Sequence, residues 1–359
     1  GVGAVMLLWC GGVGRTFDEL TMESVCAACG KALVFHPEIL SDIADFYEKN
    51  LHAPMPDNNR QQAMLPEGCV VFDNPVGTAP GCAFEAGGVH VLMLPGPPHE
   101  MVTMLRRCAE PYLRSLSREI IVSHDIMTFG LGESYVDQLL HEQMSHMENP
   151  SLATYAKPCE VRLRATAKAQ SAEQAEEMLA PVVDEVKTLL GPYVYGVDVT
   201  GLEEVCSALL LERGLTLATA ESCTGGLIAR RITALPGASR VYRGGVVSYW
   251  TEVKAAVLGV PQDILDQYGA VSEPTARAMA EGARRITGAD IAVSVTGVAG
   301  PDPDERGNPV GLVFIGLATP DGTFCRRTES GRRTRDRIQD LSANHALDMV
   351  RRYLTGLEL

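Results

Sequence analysis

Strand-length apolar runs that end in glycine or proline turns and lead into helical periodicity predict an α/β protein. Two further observations divide it into modules. The cadence changes to α+β over residues 118–197 and returns to α/β after Gly201, and a chain of 359 residues is more than one core usually organises. The expected boundaries are 1–117 for a first α/β domain, 118–200 for a small α+β module with its linker, and 201–359 for a compact α/β sandwich.

Ala4 to Trp9 reads as a buried strand, so the chain is expected to open inside a domain rather than at its start. Gly11-Gly12-Val13-Gly14 follows, then a helix from about Phe17 to Cys29. A strand at Val89 to Leu94 runs into Pro95-Gly96-Pro97-Pro98 and a helix from His99 to Leu116. The small module holds strands at Glu119 to Ser123 and Val161 to Ala167, with helices at Glu133 to Met147 and Ser171 to Leu190. Asp198-Val199-Thr200-Gly201 reads as a linker. An amphipathic helix, Leu202 to Arg213, then ends on Gly214 as its C-cap. Strands are expected at Leu215 to Ala220, Gly245 to Tyr249, Ile291 to Thr296 and Val310 to Ala318, and helices from Gly226 to about Thr233, near 274–286 and near 334–354.

The 46% hydrophobic and 21% charged composition is that of a soluble globular protein with real cores. No apolar run reaches the ~18 residues of a membrane span, and no basic segment precedes an apolar one as in a leader peptide. The expected setting is cytoplasmic. A formal charge of −14 argues against duplex binding, which rests on Lys and Arg neutralising phosphates, so no nucleic-acid or membrane partner is expected. Ten cysteines fall at irregular spacings, and Cys26-Ala-Ala-Cys29 lacks a second pair to complete a zinc site. Buried thiols in a reducing cytosol account for them.

From Leu202 to Leu359 there is a single lysine, Lys254, among many arginines, and a single histidine, His345. Lysine differs from arginine in losing its proton when desolvated, so Lys254 is a candidate general base, the alternative being a solvated surface charge. One histidine leaves little room for a Ser-His-Asp relay, whereas a Ser–Lys pair needs none. Three turns suit an anion. Ser222-Cys223-Thr224-Gly225-Gly226 lies between a strand and a helix, where backbone N–H groups can face a ligand or simply be capped. Thr296-Gly297-Val298-Ala299-Gly300 ends a strand with glycines that admit close backbone approach, and Ser330-Gly331-Arg332-Arg333 offers guanidinium donors to a phosphate. Together they point to a phosphorylated small molecule.

AESCTGG at 220–226, GASRVYRGGVVSYWTEVKAAVLGV at 237–260, GAVSEPTARAMAEGA at 269–283, TGVAGPD at 296–302 and NPVGLVFIGLA at 308–318 resemble the C-terminal domain of the CinA (competence/damage-inducible protein A) family. The resemblance implies an amidohydrolase that converts nicotinamide mononucleotide to nicotinic acid mononucleotide and ammonia in pyridine-nucleotide salvage, with no cofactor. It implies Ser239 as nucleophile, Lys254 as its proton acceptor and Tyr249 hydrogen-bonded within the same dyad. Ser222, Thr224, Gly225 and Gly226 would line the pocket with Thr296, Gly297 and Gly300, and Arg333 would hold the 5′-phosphate. Read without the family, Ser239 is a turn or cap serine and Tyr249 a packed aromatic.

The first segment resembles the family's other half, a domain similar to molybdopterin-binding proteins. Gly11-Gly12-Val13-Gly14-Arg15-Thr16-Phe17-Asp18-Glu19-Leu20-Thr21 is similar to its GGxGPTxDDLT loop, with Arg15 in place of Pro and Glu19 in place of the second Asp. Asn58 to Ala63, Asn74 to Gly81 and Leu94 to Pro98 follow in the family's order. The implied function is nucleotide binding by Gly11, Gly12, Gly14 and Thr16, with a divalent cation at Asp18 and Glu19 and an ADP-ribose pyrophosphatase activity. The opening βαβ portion of that domain is missing from the sequence, which counts against activity there. Residues 118–197, with Thr128-Phe-Gly-Leu-Gly-Glu-Ser134, resemble the family's KH-like module, and the resemblance implies a homodimer. Two alternatives to the amidohydrolase remain: a metal-dependent ADP-ribose pyrophosphatase at the first domain, and a non-enzymatic partner protein in competence or DNA damage.

Overall fold

In the computed structural model, residues 6–11, 21–117, 119–157 and 160–359 are described, and they divide into two compact units between Ile120 and Ile121. The expected three-part architecture is found: an α/β domain, a small α+β module and a C-terminal α/β domain. The loop carrying Gly12, Gly14, Thr16, Asp18 and Glu19 lies outside the described residues.

In the first unit, strands β1 (Met6–Cys10), β4 (Val70–Phe72), β5 (Gly81–Ala86) and β6 (Val89–Leu94) make a sheet in the order β1-β6-β5-β4. Strand β1 runs parallel to β6, and the other pairings are antiparallel. A hairpin-like pair, β2 (Leu33–Phe35) and β3 (Met64–Pro66), lies beside it. Helices α1 (Thr21–Ala28), α2 (Pro37–Phe46), α3 (Pro98–Met104) and α4 (Glu110–Leu116) cover the sheet. Alternation along the strands sends Cys82, Phe84, Val91 and Met93 to one face with Ile39 and Ile43 of α2. It sends Ala83, Leu92 and Leu94 to the other face with Met104 and Ala109. The predicted helix 99–116 carries one π turn, Leu105–Ala109, just before Pro111, whose missing N–H cannot continue regular α bonding.

One expectation fails here. Strand β1 exists, but Met6, Leu7, Leu8 and Trp9 are 42–44% exposed instead of buried. Among the described residues it bonds to β6 alone, so it is an edge strand whose apolar sequence lacks neighbours. At its end Gly11, with φ +105°, donates to Leu94 O at 3.0 Å and lies against Gly96, where a Cβ would stand 3.3 Å from Gly11 Cα.

The second unit opens one residue into β7 (Ile120–Thr128) and continues with α5 (Glu133–His146), β8 (Ser151–Lys157), β9 (Glu160–Ala169), α6 (Ala172–Leu190) and β10 (Val194–Val197), the sheet order being β10-β7-β9-β8. Strictly alternating burial along β9 puts Val161, Leu163, Ala165 and Ala167 under the two helices. Strands β8 and β10 are absent from the sequence reading. Neither is the expected linker loose. Asp198 accepts from the Asp125 amide at 2.7 Å and contacts His124 at 2.5 Å, and Met127, Phe129 and Tyr195 share one core with Leu202, Cys206 and Leu210.

The C-terminal domain runs α7 (Leu202–Arg213), β11 (Leu217–Glu221), α8 (Leu227–Thr233), β12 (Tyr242–Val247), α9 (Thr251–Ala256), α10 (Gln262–Tyr268), α11 (Glu273–Thr287), β13 (Ile291–Gly297), β14 (Leu312–Thr319), β15 (Gly322–Glu329) and α12 (Arg335–Thr355). Gly214 caps α7 in the left-handed region, as the sequence predicts. The five strands order as β12-β11-β13-β14-β15, with β12, β11 and β13 parallel and the remaining pairs antiparallel. Large residues (Leu217, Ile291, Val293, Val295) point toward α7, α8 and α12. Small ones (Ala218, Ala220, Ala292) point toward α11, which therefore sits close. A Cβ on Gly316 would come within 2.3 Å of Ala276 O on that helix. Parallel strands β11 and β13, covered on both faces, deliver their C-terminal ends to one edge of the layer, where ligands of open α/β sheets bind.

Candidate active site

Ser222 follows the last residue of β11, and Ser248 and Tyr249 follow β12, so both strand ends reach the same edge of the sheet. Lys254 lies one short helix later, on α9, and folds back toward them. Its Nζ donates to Ser248 O at 2.6 Å and lies 3.0 Å from Ser222 Oγ. The side chain is 1% exposed, and burial pushes its pKa down to about 8, Cys223 pulling weakly in the other direction. The lone lysine is thus buried, not a surface charge. Two more hydroxyls, Thr224 Oγ1 and Ser248 Oγ, are buried here without a partner.

Ser239, the nucleophile implied by resemblance, is elsewhere. It sits exposed on the short turn Ala238–Arg240, which precedes the first residue of β12, and Tyr242 pairs with Leu217 at the start of β11. Ser222 is at the far end of that same ladder. A strand of this length separates the two edges by roughly 15 Å, at about 3.3 Å per residue. The serine that the fold brings to Lys254 is Ser222, which the sequence reading placed only in the pocket lining.

The neighbouring thiol is no competitor. Burial pushes Cys223 up to about 12, so it stays protonated, and a thiol is a poor nucleophile compared with its thiolate. His345 is far along α12, edge-on to Phe129 with ring centroids 4.9 Å apart, and burial lowers its pKa to about 4. It faces the small module, so a histidine relay is absent from this site.

The Ser222–Gly226 turn is built differently from an open anion cradle. The buried Glu221 carboxylate accepts from the amides of Gly226, Ile228 and Ala229 at 2.9–3.1 Å. It therefore already supplies the negative charge that the start of α8 attracts. Gly225 and Gly226 adopt φ +60° and +98°, which turns the chain sharply after Ser222. What remains open are the amides of Cys223 and Thr224, for which no acceptor on another residue is found among the described residues.

The other predicted residues divide in the same way. Thr296 donates to Ala270 O at 2.6 Å in the core. Gly297 is close-packed, since a Cβ there would lie 2.6 Å from Val313 Cγ2. Gly300 contributes its carbonyl, which accepts from Arg335 Nη1 at 2.7 Å. Arg333 is exposed and bonds Ser330 O at 3.0 Å. Tyr249 is half-exposed, and its hydroxyl accepts from Arg335 Nη2 at 2.6 Å. Arg335 and Gln339, whose Nε2 donates to Cys223 O at 2.7 Å, were not singled out in the sequence. The signal was available: they are i and i+4 on α12, hence on one face of its first turns.

With this geometry in place, comparison with known proteins is decisive. The chain is 43% identical over 353 residues to a putative competence-damage inducible protein of Acetivibrio thermocellus, covering 98% of the chain and 85% of that relative. It is 42% identical over 352 residues to a CinA-like protein of Kosmotoga olearia, with the same coverage. The chain belongs to the CinA family. Three family descriptions divide it: probable molybdopterin binding domain over 2–115, damage-inducible protein CinA KH domain over 123–196, and CinA C-terminal domain over 199–354. A solved structure of a competence/damage inducible protein from Agrobacterium tumefaciens is 37% identical, covering 43% of this chain and 95% of its own, with a TM-score of 0.41.

The CinA C-terminal domain therefore holds every contact of the Ser222–Lys254 pair. No helix among the described residues is long and apolar enough to cross a membrane. No cluster of three His, Cys, Asp or Glu side chains suited to a metal occurs among the described residues. The cation expected at Asp18 and Glu19 falls on residues that are not described.

Proposed function

We propose that the C-terminal domain is a serine–lysine amidohydrolase acting on nicotinamide mononucleotide, with Ser222 as nucleophile and Lys254 as base. The observation that carries the reading is the buried Lys254 Nζ at 3.0 Å from Ser222 Oγ. At pH 7 an amine of pKa about 8 is deprotonated in about one molecule in ten, which is enough for a working base. In that form one N–H bonds Ser248 O, and the lone pair accepts the Ser222 proton.

Ser222 Oγ then attacks the carboxamide carbon. The oxyanion falls to the open amides of Cys223 and Thr224, with the Thr224 hydroxyl alongside. Proton return from Lys254 to the leaving nitrogen releases ammonia and leaves an ester on Ser222. Water activated by the same lysine hydrolyses that ester to the carboxylate. Arg333, exposed beside the site's last helix, supplies the guanidinium for the 5′-phosphate. No cofactor enters the scheme.

Incubating the protein with nicotinamide mononucleotide, with and without chelator, and assaying ammonia tests it. Ammonia release that survives chelation is expected. Release that needs a divalent cation, or none at all, would sink the reading.

A further inference from the structure

Arg335 joins three segments that frame the site. Its Nη2 donates to Tyr249 Oη at 2.6 Å and its Nη1 donates to Gly300 O at 2.7 Å. Four residues on, Gln339 donates to Cys223 O at 2.7 Å, so the first turns of α12 hold both the loop after β12 and the loop after β11. Neither a Ser–Lys dyad nor a phosphate contact explains why a guanidinium should grip a tyrosine hydroxyl there.

The chemistry of the two groups gives a reason. A guanidinium has donors only, so Tyr249 Oη must accept in this bond. A phenol has one proton, which then points away from Arg335 and is free for another partner. Tyr249 is the residue next to Ser248, whose carbonyl holds Lys254 and whose own buried hydroxyl lacks a partner. A phenol polarised by a neighbouring cation is also a better donor. Gly300, with φ +85° and Val310 Cγ1 2.9 Å from where a Cβ would stand, fixes the second anchor through its backbone, so both terminal nitrogens of the Arg335 guanidinium are held.

We infer that Arg335 is a positioning residue for the amidohydrolase: it holds Tyr249 as an acceptor so that the phenol proton is presented to the reacting amide. This rests on the Ser222–Lys254 reading. Arg335 itself does not touch substrate; it acts through Tyr249.

The test is a double-mutant cycle on the full chain with nicotinamide mononucleotide, reading kcat and KM separately. R335A and Y249F should each lower kcat by roughly 10-fold, the worth of one charge-assisted hydrogen bond, with KM little changed. The double variant should be no slower than Y249F alone. R335K, which can still donate to Tyr249, should recover part of kcat. Thermal melts confirm that each variant folds, and the conservative R335K carries the comparison if R335A does not. Additive losses in the double variant, or a rise in KM with kcat intact, would overturn the inference while leaving the dyad standing. A wild-type chain that releases no ammonia would remove both.

Discussion

Ser222 and Ser239 lie at opposite edges of the C-terminal sheet, and they differ in every property that matters to chemistry. At the edge where β11 and β12 end, Ser222 is buried beside Lys254, two hydroxyls lack partners, and Arg335 and Gln339 bind the surrounding loops. At the edge where β12 begins, Ser239 sits exposed on a 3-10 turn beside a cavity of about 280 Å³ lined by α7 and residues 235–238. Both serines sit in glycine-containing turns, Ser222 after Glu221 and Ser239 after Ala238, so local sequence scarcely separates them as nucleophiles. What separates them is the direction of the strands. In a parallel layer the strand ends gather at one edge and the helix returns at the other, so a residue's place in the βα or αβ connection decides its company.

The sharpest way to break this contrast is to exchange the serines for alanine one at a time. S222A should lower kcat by ~10³-fold or more, since a nucleophile acts as a unit with its base and its loss removes covalent catalysis. S239A, an exposed turn position, should change kcat less than twofold and stability by less than ~0.5 kcal/mol. Steady-state ammonia release measures both. The opposite pattern would return the nucleophile to Ser239 and require Lys254 to move across the sheet.

Lys254 comes next. K254A should cost ~10²–10⁴-fold in kcat, the usual worth of a positioned base. K254R keeps the charge but cannot give up its proton at useful pH, so it should be nearly as slow. The wild-type rate should rise with pH along an acid limb governed by a group of pKa about 8. An arginine variant that keeps most of the rate would assign the cation an electrostatic role instead.

Substrate anchoring should be smaller in effect. R333A is expected to raise KM for the mononucleotide by about 10-fold and leave kcat near wild type, because a phosphate contact persists from ground state to transition state. An unchanged KM would move the phosphate away from Arg333, toward the turn that ends at Gly300.

How much of this was legible beforehand follows from what each signal encodes. Helix α7 with its Gly214 cap, α11 and strand β13 were readable because long periodic segments and caps are local facts. Strand β15, with no fully buried residue and four polar or charged residues from Arg326 to Glu329, was not, because only its pairing with β14 makes it a strand. Strand β1 shows the reverse error: its apolar run predicts burial, but burial needs neighbours on both sides, and sequence does not count neighbours. In the site, Lys254 stood out by being the only lysine from Leu202 onward. The choice between Ser222 and Ser239 needed topology, although a serine at a sharp strand-to-helix turn is itself a nucleophile signal that could have tipped it. Arg335 was hidden among Arg332, Arg333 and Arg337, equal to them in sequence and distinguished only by the helical face it occupies.

The smallest effect is thermodynamic, and it separates the two edges without any assay of turnover. Lys254 has a folded pKa of about 8, well under the ordinary lysine value near 10.4 that it regains on unfolding. Between those values the unfolded chain binds more protons than the folded one, so this group makes stability rise with pH across that window. Below about pH 8 both states hold the proton, and the folded state bears the whole cost of burying it. Replacing the ammonium with the neutral side chain of K254M removes that dependence, while leaving Ser248 O without its donor at every pH. Wild type minus K254M in Tm should therefore grow as pH is raised from 7 to 10, by a few degrees at most in a chain of this size. S239A should show a difference from wild type that is flat over the same range. Two parallel melting curves for wild type and K254M would mean that the lysine keeps its ordinary affinity for the proton in the folded chain, and that burial does not make it a base.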